Sequence, residues 1–250
     1  MPDTQPELLE NLSRIHEQID TACNKVGRHP ASVRLMLVTK TVSLERILAC
    51  AELEAKQFRA TLPILLGENK AQEATEKTLK LREVQAPLTP LSWHFIGHCQ
   101  RNKVASVLKF ADCVQSVDRF PLAEKLQQQL ETEFPRRILP VFIQVNTSEE
   151  ASKFGTSLKE AEDLITSVAA LPQLRVNGLM TLGLNSADEK AVRTCFSQLR
   201  YLQERIQSQH IESAPVTELS MGMSGDYPWA IAEGATIIRL GTQLFGPRSL

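Results

Sequence analysis

The chain has 250 residues, 42% of them hydrophobic and 23% charged, which is enough apolar material for one substantial core. Its 28 basic and 29 acidic residues leave a formal net charge of -1, so no overall field favours nucleic acid or an anionic membrane. No apolar stretch is long enough to span a bilayer, and the N-terminus lacks the order of a signal peptide. Five cysteines without a CxxC pair suit reduced thiols. We therefore expect a cytoplasmic protein, without nucleic-acid or membrane partners.

The chain opens with a predicted amphipathic helix, because Leu8, Leu12, Ile15 and Ile19 recur at helical spacing. Apolar runs of strand length follow it. The predicted strands are Val33–Thr39, Leu62–Leu66, Trp93–Gly97, Cys113–Val117, Ile138–Val145, Val176–Thr181, Val216–Ser220 and Thr236–Leu240. The predicted helices between them are Leu44–Gln57, Glu68–Leu81, Asn102–Phe110, Pro121–Phe134, Leu158–Leu171, Ala187–Gln209 and Asp226–Glu233.

This alternation predicts an α/β fold, a parallel sheet with helices outside it. Eight such units in about 250 residues match the size of a (β/α)8 TIM barrel. The alternative, an open doubly wound sheet, normally has fewer strands and a glycine-rich first turn, and no GxGxxG follows the first strand here. We predict a single barrel domain over residues 1–250, preceded by an N-terminal helix.

In a barrel, residues just past each strand converge on one mouth. The first strand runs into Lys40, whose amine, if partly desolvated there, can attack a carbonyl and form a Schiff base. The alternative for Lys40 is a solvated lysine at a strand end. Asn69 follows the second strand and Met180 lies near the end of the sixth.

The loops after the seventh and eighth strands are rich in small residues. Ser220, Ser224 and Thr242 add hydroxyl groups, and this barrel position frequently binds phosphate. The alternative is that these residues only turn the chain. Arg239 lies inside the eighth strand, where it forms either an ion pair within the barrel or a contact to a ligand in the mouth.

Other chemical motifs are weak. His94, His98 and Cys99 lie close together in sequence, but no further ligands complete a metal site and Cys99 has no evident catalytic partner. The chain has no P-loop, HExxH or GxSxG motif.

Several motifs together resemble the YggS/PROSC family of pyridoxal 5′-phosphate (PLP) binding proteins. They are Val38-Thr39-Lys40-Thr41, Gly67-Glu68-Asn69-Lys70-Ala71-Gln72-Glu73, Trp93-His94-Phe95-Ile96-Gly97, Gln100-Arg101-Asn102-Lys103, Val145-Asn146, Ser152-Lys153-Phe154-Gly155, Gly178-Leu179-Met180, Leu219-Ser220-Met221-Gly222-Met223-Ser224, Arg239-Leu240-Gly241-Thr242 and Phe245-Gly246. The resemblance implies a barrel like the N-terminal domain of alanine racemase, a fold-type III PLP protein.

The resemblance also implies roles at the mouth. Lys40 matches the lysine that forms the Schiff base with PLP, and Arg239 matches the arginine facing the pyridine nitrogen. Asn69 matches a side chain near the ring. The remaining implied positions are Ser220, Gly241 and Thr242 for the phosphate, Met223 and Ser224 beside it, and Met180 and Met221 along the ring faces.

A cationic arginine beside the pyridine nitrogen disfavours protonation of the ring and weakens carbanion chemistry. Racemisation also needs a second acid or base, which the racemases take from a C-terminal domain; here the sequence ends soon after the eighth strand, and Tyr201 and Tyr227 lie outside the expected mouth. We therefore expect a monomeric, non-enzymatic protein of PLP homeostasis, affecting amino-acid and keto-acid balance. The alternatives are a low-activity PLP enzyme, a racemase or lyase using His98 or Cys99, and a regulatory protein that carries PLP as a sensor.

Two departures from the family pattern lie at the mouth. His98-Cys99 stands where a proline is usual, and Lys70 stands where a tyrosine often follows the asparagine. Either change is expected to alter the rim of the mouth, whereas neither touches Lys40 or the phosphate loops.

Overall fold

The computed structural model describes residues 4–58, 63–83 and 89–246. Eight parallel strands pair in chain order, and the first pairs with the last to close a barrel. The predicted fold is confirmed. The strands are β1 Arg34–Val38, β2 Ile64–Glu68, β3 Leu91–Phe95, β4 Cys113–Val117, β5 Leu139–Gln144, β6 Leu174–Met180, β7 Glu218–Ser220 and β8 Ile237–Leu240.

Helices surround the barrel. They are α1 Thr4–Lys25, α2 Leu44–Gln57, α3 Ala71–Glu83, α4 Val104–Leu108, α5 Phe120–Glu133, α6 Ala161–Ala169, α7 Glu189–Ser208, α8 Tyr227–Ala232 and α9 Thr242–Phe245, with 3-10 turns at Pro30–Ser32 and Arg101–Lys103. In the described part of the chain, no helix is both long enough and apolar enough to cross a membrane.

One boundary error concerns the second unit. Glu68 was predicted to begin a helix, but it is the last residue of β2, paired with Phe95 of β3, and α3 begins at Ala71. Glu68 remains in the strand because its carboxylate has buried partners there, as described below. Leu62, the predicted start of this strand, lies outside the described residues.

Alternate residues of each strand face two apolar layers, as a period of two requires. A small cluster fills the barrel interior: Met36, Leu65, Cys113, Phe142, Met180 and Ile237. The larger core lies between the sheet and the helices.

Helix α1 joins the first and last βα units. It packs against α2, α8 and α9, and Leu8, Leu12 and Ile15 are completely buried. His16 Nε2 lies 2.9 Å from a carboxylate oxygen of Glu54 on α2, and the Phe58 ring stacks on the imidazole. The helix therefore braces the place where β1 meets β8.

Leu12→Ala is predicted to lower the free energy of unfolding by about 2–5 kcal/mol, because it leaves a cavity under α1. Urea unfolding of the purified variant measures this loss. Glu10→Ala on the exposed side of the same helix is the control. Equal unfolding midpoints for the two variants would contradict the bracing role of α1.

Candidate functional site

A cavity of about 740 Å³ opens at the carboxyl ends of the strands. Most of the predicted site residues line it: Lys40, Asn69, Met180, Met223, Ser224, Arg239, Gly241 and Thr242. These residues come from strands and loops far apart in sequence. The barrel therefore brings side chains from separate strand ends together in one cavity.

Lys40 reaches the cavity because of strand alternation. Met36 and Val38 face the inside of the barrel, Thr39 faces the helices, and Lys40 again faces inward. The half-buried Lys40 thus projects its amine toward the mouth.

The backbone on both sides of Lys40 is held by one buried ammonium group. Lys77 Nζ donates hydrogen bonds of 2.7 Å to the Thr39 carbonyl, to Glu68 Oε1 and to Glu73 Oε1. The Glu73 carboxylate also accepts the N–H of Thr41. Thr41 has φ 64°, an unfavourable left-handed conformation for a β-branched residue, so these contacts stabilise a strained turn.

Glu68 is the most deeply buried member of this network, with no exposed surface. It also accepts a hydrogen bond of 2.6 Å from the Thr39 hydroxyl. Burial raises the pKa of the Glu68 carboxyl, while the bonds from Lys77 and Thr39 oppose this shift. Glu68 and Glu73 belong to one of the sequence motifs described above, whereas Lys77 does not. The partners of Lys77 become recognisable only when α3 packs against β1 and β2.

Arg239 lies at the floor of the cavity and is 4% exposed. Its Nη1 donates to the Ser220 carbonyl at 2.6 Å and to Ser220 Oγ at 2.8 Å, and its Nη2 donates to the Thr181 carbonyl at 2.7 Å. Within the described residues, no carboxylate lies at ion-pair distance from it. The ion pair considered from the sequence is therefore not found.

Burial lowers the pKa of Arg239 to about 10, and the charge of Asp226 opposes this shift. The guanidinium therefore remains cationic at neutral pH. Its partners are neutral oxygens, so its charge is available to a ligand in the cavity.

Ser220 and Met221 are the two predicted residues that the structure does not bring to the cavity. The Ser220 hydroxyl is buried and bonded to Arg239 and to Gln115 Oε1, the latter at 2.7 Å. The structure places this hydroxyl against Arg239 and Gln115, and the phosphate contact of Ser220 stays a prediction. Met221 is next along the chain, so alternation turns it outward into the larger core, away from the predicted ring face.

The loops after β7 and β8 form part of the cavity wall. Met223 and Ser224 line the cavity from the first loop, where Asp226 accepts the Met223 N–H at 2.6 Å. Gly241 and Thr242 line it from the second loop. Ser224 and Thr242 therefore lie on the part of the wall predicted to bind phosphate.

Asn69 supplies an unused acceptor. Its Oδ1 is buried and has no hydrogen-bond partner in the structure. Gly97 lets the two strand ends approach closely, because a Cβ there would lie 2.3 Å from the Asn69 carbonyl oxygen. A buried unpaired acceptor beside a cavity is consistent with a ligand that carries a donor.

His98 and Cys99, which stand where the family usually has a proline, lie at the rim of the cavity. The His98 ring stacks on Phe154 with centroids 3.7 Å apart, and Nδ1 lies 3.7 Å from a carboxylate oxygen of Asp118. Cys99 is fully buried, and burial raises the pKa of its thiol to about 11, which does not favour a nucleophilic thiolate. Within the described residues, no cluster suited to a metal ion occurs.

The fold and the site define a (β/α)8 barrel with a lysine and a buried arginine facing one cavity at its carboxyl end. A family model described as "Alanine racemase, N-terminal domain" matches residues 10–249. A curated relative, the pyridoxal phosphate homeostasis protein of Vibrio cholerae, is 38% identical over 239 residues, which cover 96% of this chain and 95% of the relative. The chain therefore belongs to the pyridoxal phosphate homeostasis proteins of the alanine racemase N-terminal-domain family.

Two solved structures extend the comparison. PipY of Synechococcus elongatus with PLP bound has a TM-score of 0.76 and 30% identity, covering 96% of this chain and 100% of that one. Alanine racemase of Clostridium difficile has a TM-score of 0.68 at 14% identity, covering 97% of this chain but 56% of the racemase. The second similarity shows the shared fold alone.

Lys77→Met is predicted to reduce stability by about 3–5 kcal/mol, because it leaves the buried Glu68 carboxyl and Glu73 without their cationic partner. Chemical denaturation measures the effect. Lys80→Met, an exposed lysine on the same helix, should change stability by no more than about 0.5 kcal/mol. Comparable losses in both variants would show that the buried network does not stabilise this region.

Proposed function

We propose that this protein binds PLP through Lys40 and acts in PLP homeostasis by holding and releasing the cofactor. The observation that carries this proposal is the convergence of the Lys40 amine and the buried Arg239 guanidinium on one cavity. The PLP-bound structure of PipY supports it, because that protein has the same fold at 30% identity. The proposed consequence of holding and releasing PLP is an effect on amino-acid and keto-acid balance.

The chemistry of the cavity fits each part of PLP. The Lys40 amine would condense with the aldehyde, forming a carbon–nitrogen double bond and releasing one water. Ser224, Gly241 and Thr242 would hold the phosphate, and Arg239 would face the pyridine nitrogen. Asn69 would offer its free Oδ1 near the ring, and Met180 would lie along a ring face.

The same residues favour holding the cofactor over catalysis with it. A cationic Arg239 beside the pyridine nitrogen disfavours the protonated ring, which is the better electron sink. Among the groups lining the described cavity, His98 is stacked on Phe154 and Asp226 accepts the Met223 N–H. Neither arrangement is that of a free acid or base facing Lys40. In this proposal the protein is a cytoplasmic monomer of one domain.

The second candidate is a low-activity PLP enzyme that uses His98, because this imidazole does line the cavity. Rapid stereospecific conversion of D- or L-alanine, abolished in His98→Ala with PLP retained, would establish that candidate and overturn the non-enzymatic proposal.

Lys40→Ala is predicted to abolish the visible absorbance band that appears when PLP is added to the wild-type protein, because no Schiff base can form. Lys153→Ala is the matched control, since Lys153 lines the same cavity but its Nζ is bonded to the Gly183 carbonyl and to Glu150. It should keep the band. A band that persists in Lys40→Ala, or that disappears only in Lys153→Ala, would contradict the assignment.

A further inference from the structure

A chain of buried polar side chains crosses the barrel interior and ends at Arg239. Gln115 Nε2 lies 2.8 Å from His94 Nδ1, and Gln115 Oε1 accepts the Ser220 hydroxyl at 2.7 Å. Ser220 Oγ in turn accepts from Arg239 Nη1 at 2.8 Å. All four side chains are at least nine-tenths buried, and they come from β3, β4, β7 and β8.

The hydrogen count fixes the direction of every bond in this chain. Burial lowers the pKa of His94 to about 3, so its ring is neutral and one nitrogen is an acceptor. With the Gln115 amide nitrogen toward His94, the amide oxygen receives the Ser220 hydroxyl hydrogen. If the amide were reversed, that hydrogen would have no acceptor among the contacts of Ser220. Because the Ser220 hydroxyl donates to Gln115, its Oγ acts as the acceptor toward Arg239.

Three hydrogen bonds hold the Nη1 and Nη2 groups of the Arg239 guanidinium. Two Nη1 hydrogens go to Ser220 Oγ and its carbonyl, and one Nη2 hydrogen goes to the Thr181 carbonyl. The three bonds define the plane and rotation of the guanidinium. Its remaining N–H groups are the ones that a ligand in the cavity can meet.

We propose that Gln115 and His94 are positioning residues that aim the free N–H groups of Arg239 at the ring nitrogen of PLP. This inference rests on the proposed function. It assigns the cavity a specificity for a heteroaromatic ring with an unprotonated nitrogen acceptor at that position. A chain that served only to satisfy buried polar groups would affect stability but not this specificity.

The test compares dissociation constants for PLP and for its 1-deaza analogue, in which a C–H replaces the ring nitrogen. The wild type is expected to prefer PLP by about tenfold, the loss for one charge-assisted hydrogen bond. Gln115→Leu and Ser220→Ala should bring the ratio of the two constants close to one. His94→Leu should do the same, whereas His94→Gln keeps an acceptor and should retain most of the preference.

Gln127→Leu is the matched control. Gln127 is also a buried amide, but it lies on α5 and bonds to Gln173, away from the cavity. It should lose stability while keeping the wild-type ratio. An unchanged ratio in folded Ser220→Ala and Gln115→Leu would overturn the positioning role and leave PLP binding intact.

A second readout needs no cofactor. Nitrogen-15 NMR of His94 in the wild-type apoprotein should show an unprotonated Nδ1 and a protonated Nε2. A protonated Nδ1 would overturn the directed chain even if a Gln115 variant failed to fold. Absence of PLP binding by the wild type would instead overturn the proposed function itself, so the two failures are distinguishable.

Discussion

The site depends on a buried arginine that has no carboxylate at ion-pair distance among the described residues. A guanidinium removed from water is destabilising unless its hydrogens find acceptors, and Arg239 finds them in two backbone carbonyls and one hydroxyl. These neutral oxygens accept its hydrogens, and the charge of Asp226 acts on it only from beyond ion-pair distance. With a pKa of about 10, it stays cationic at the floor of the cavity. An electron-rich ligand there would be stabilised by this charge.

Barrel closure connects this cation with the lysine. β1 pairs with β8, so that Met36 lies opposite Arg239, and the chain then continues to Lys40 at the same end of the sheet. Helix α1 packs outside the junction of β1 and β8. The hydrogen bonds of Lys77 hold the backbone around Lys40 from the side of α3. The amine and the cation are thus positioned by separate sets of contacts.

The sequence predicted the barrel and most of the mouth because strand period and strand order determine which residues converge. It did not show that the Ser220 hydroxyl bonds to Arg239 and Gln115, or that Met221 lies in the larger core. It also missed Gln115 and Lys77. A polar residue within a strand or helix pattern does not reveal its partner, and Ser220 is 105 residues away from Gln115. Such contacts exist only after the barrel has closed.

The most direct test of this account is the protonation state of the ring nitrogen of nitrogen-15-labelled PLP bound to the wild-type protein. Its chemical shift distinguishes a neutral pyridine from a pyridinium. Because Arg239 is cationic and clamped toward the ring, the account predicts a neutral pyridine nitrogen at neutral pH. A protonated ring nitrogen would contradict the role of Arg239 and with it the proposal that the protein holds its cofactor more than it catalyses with it.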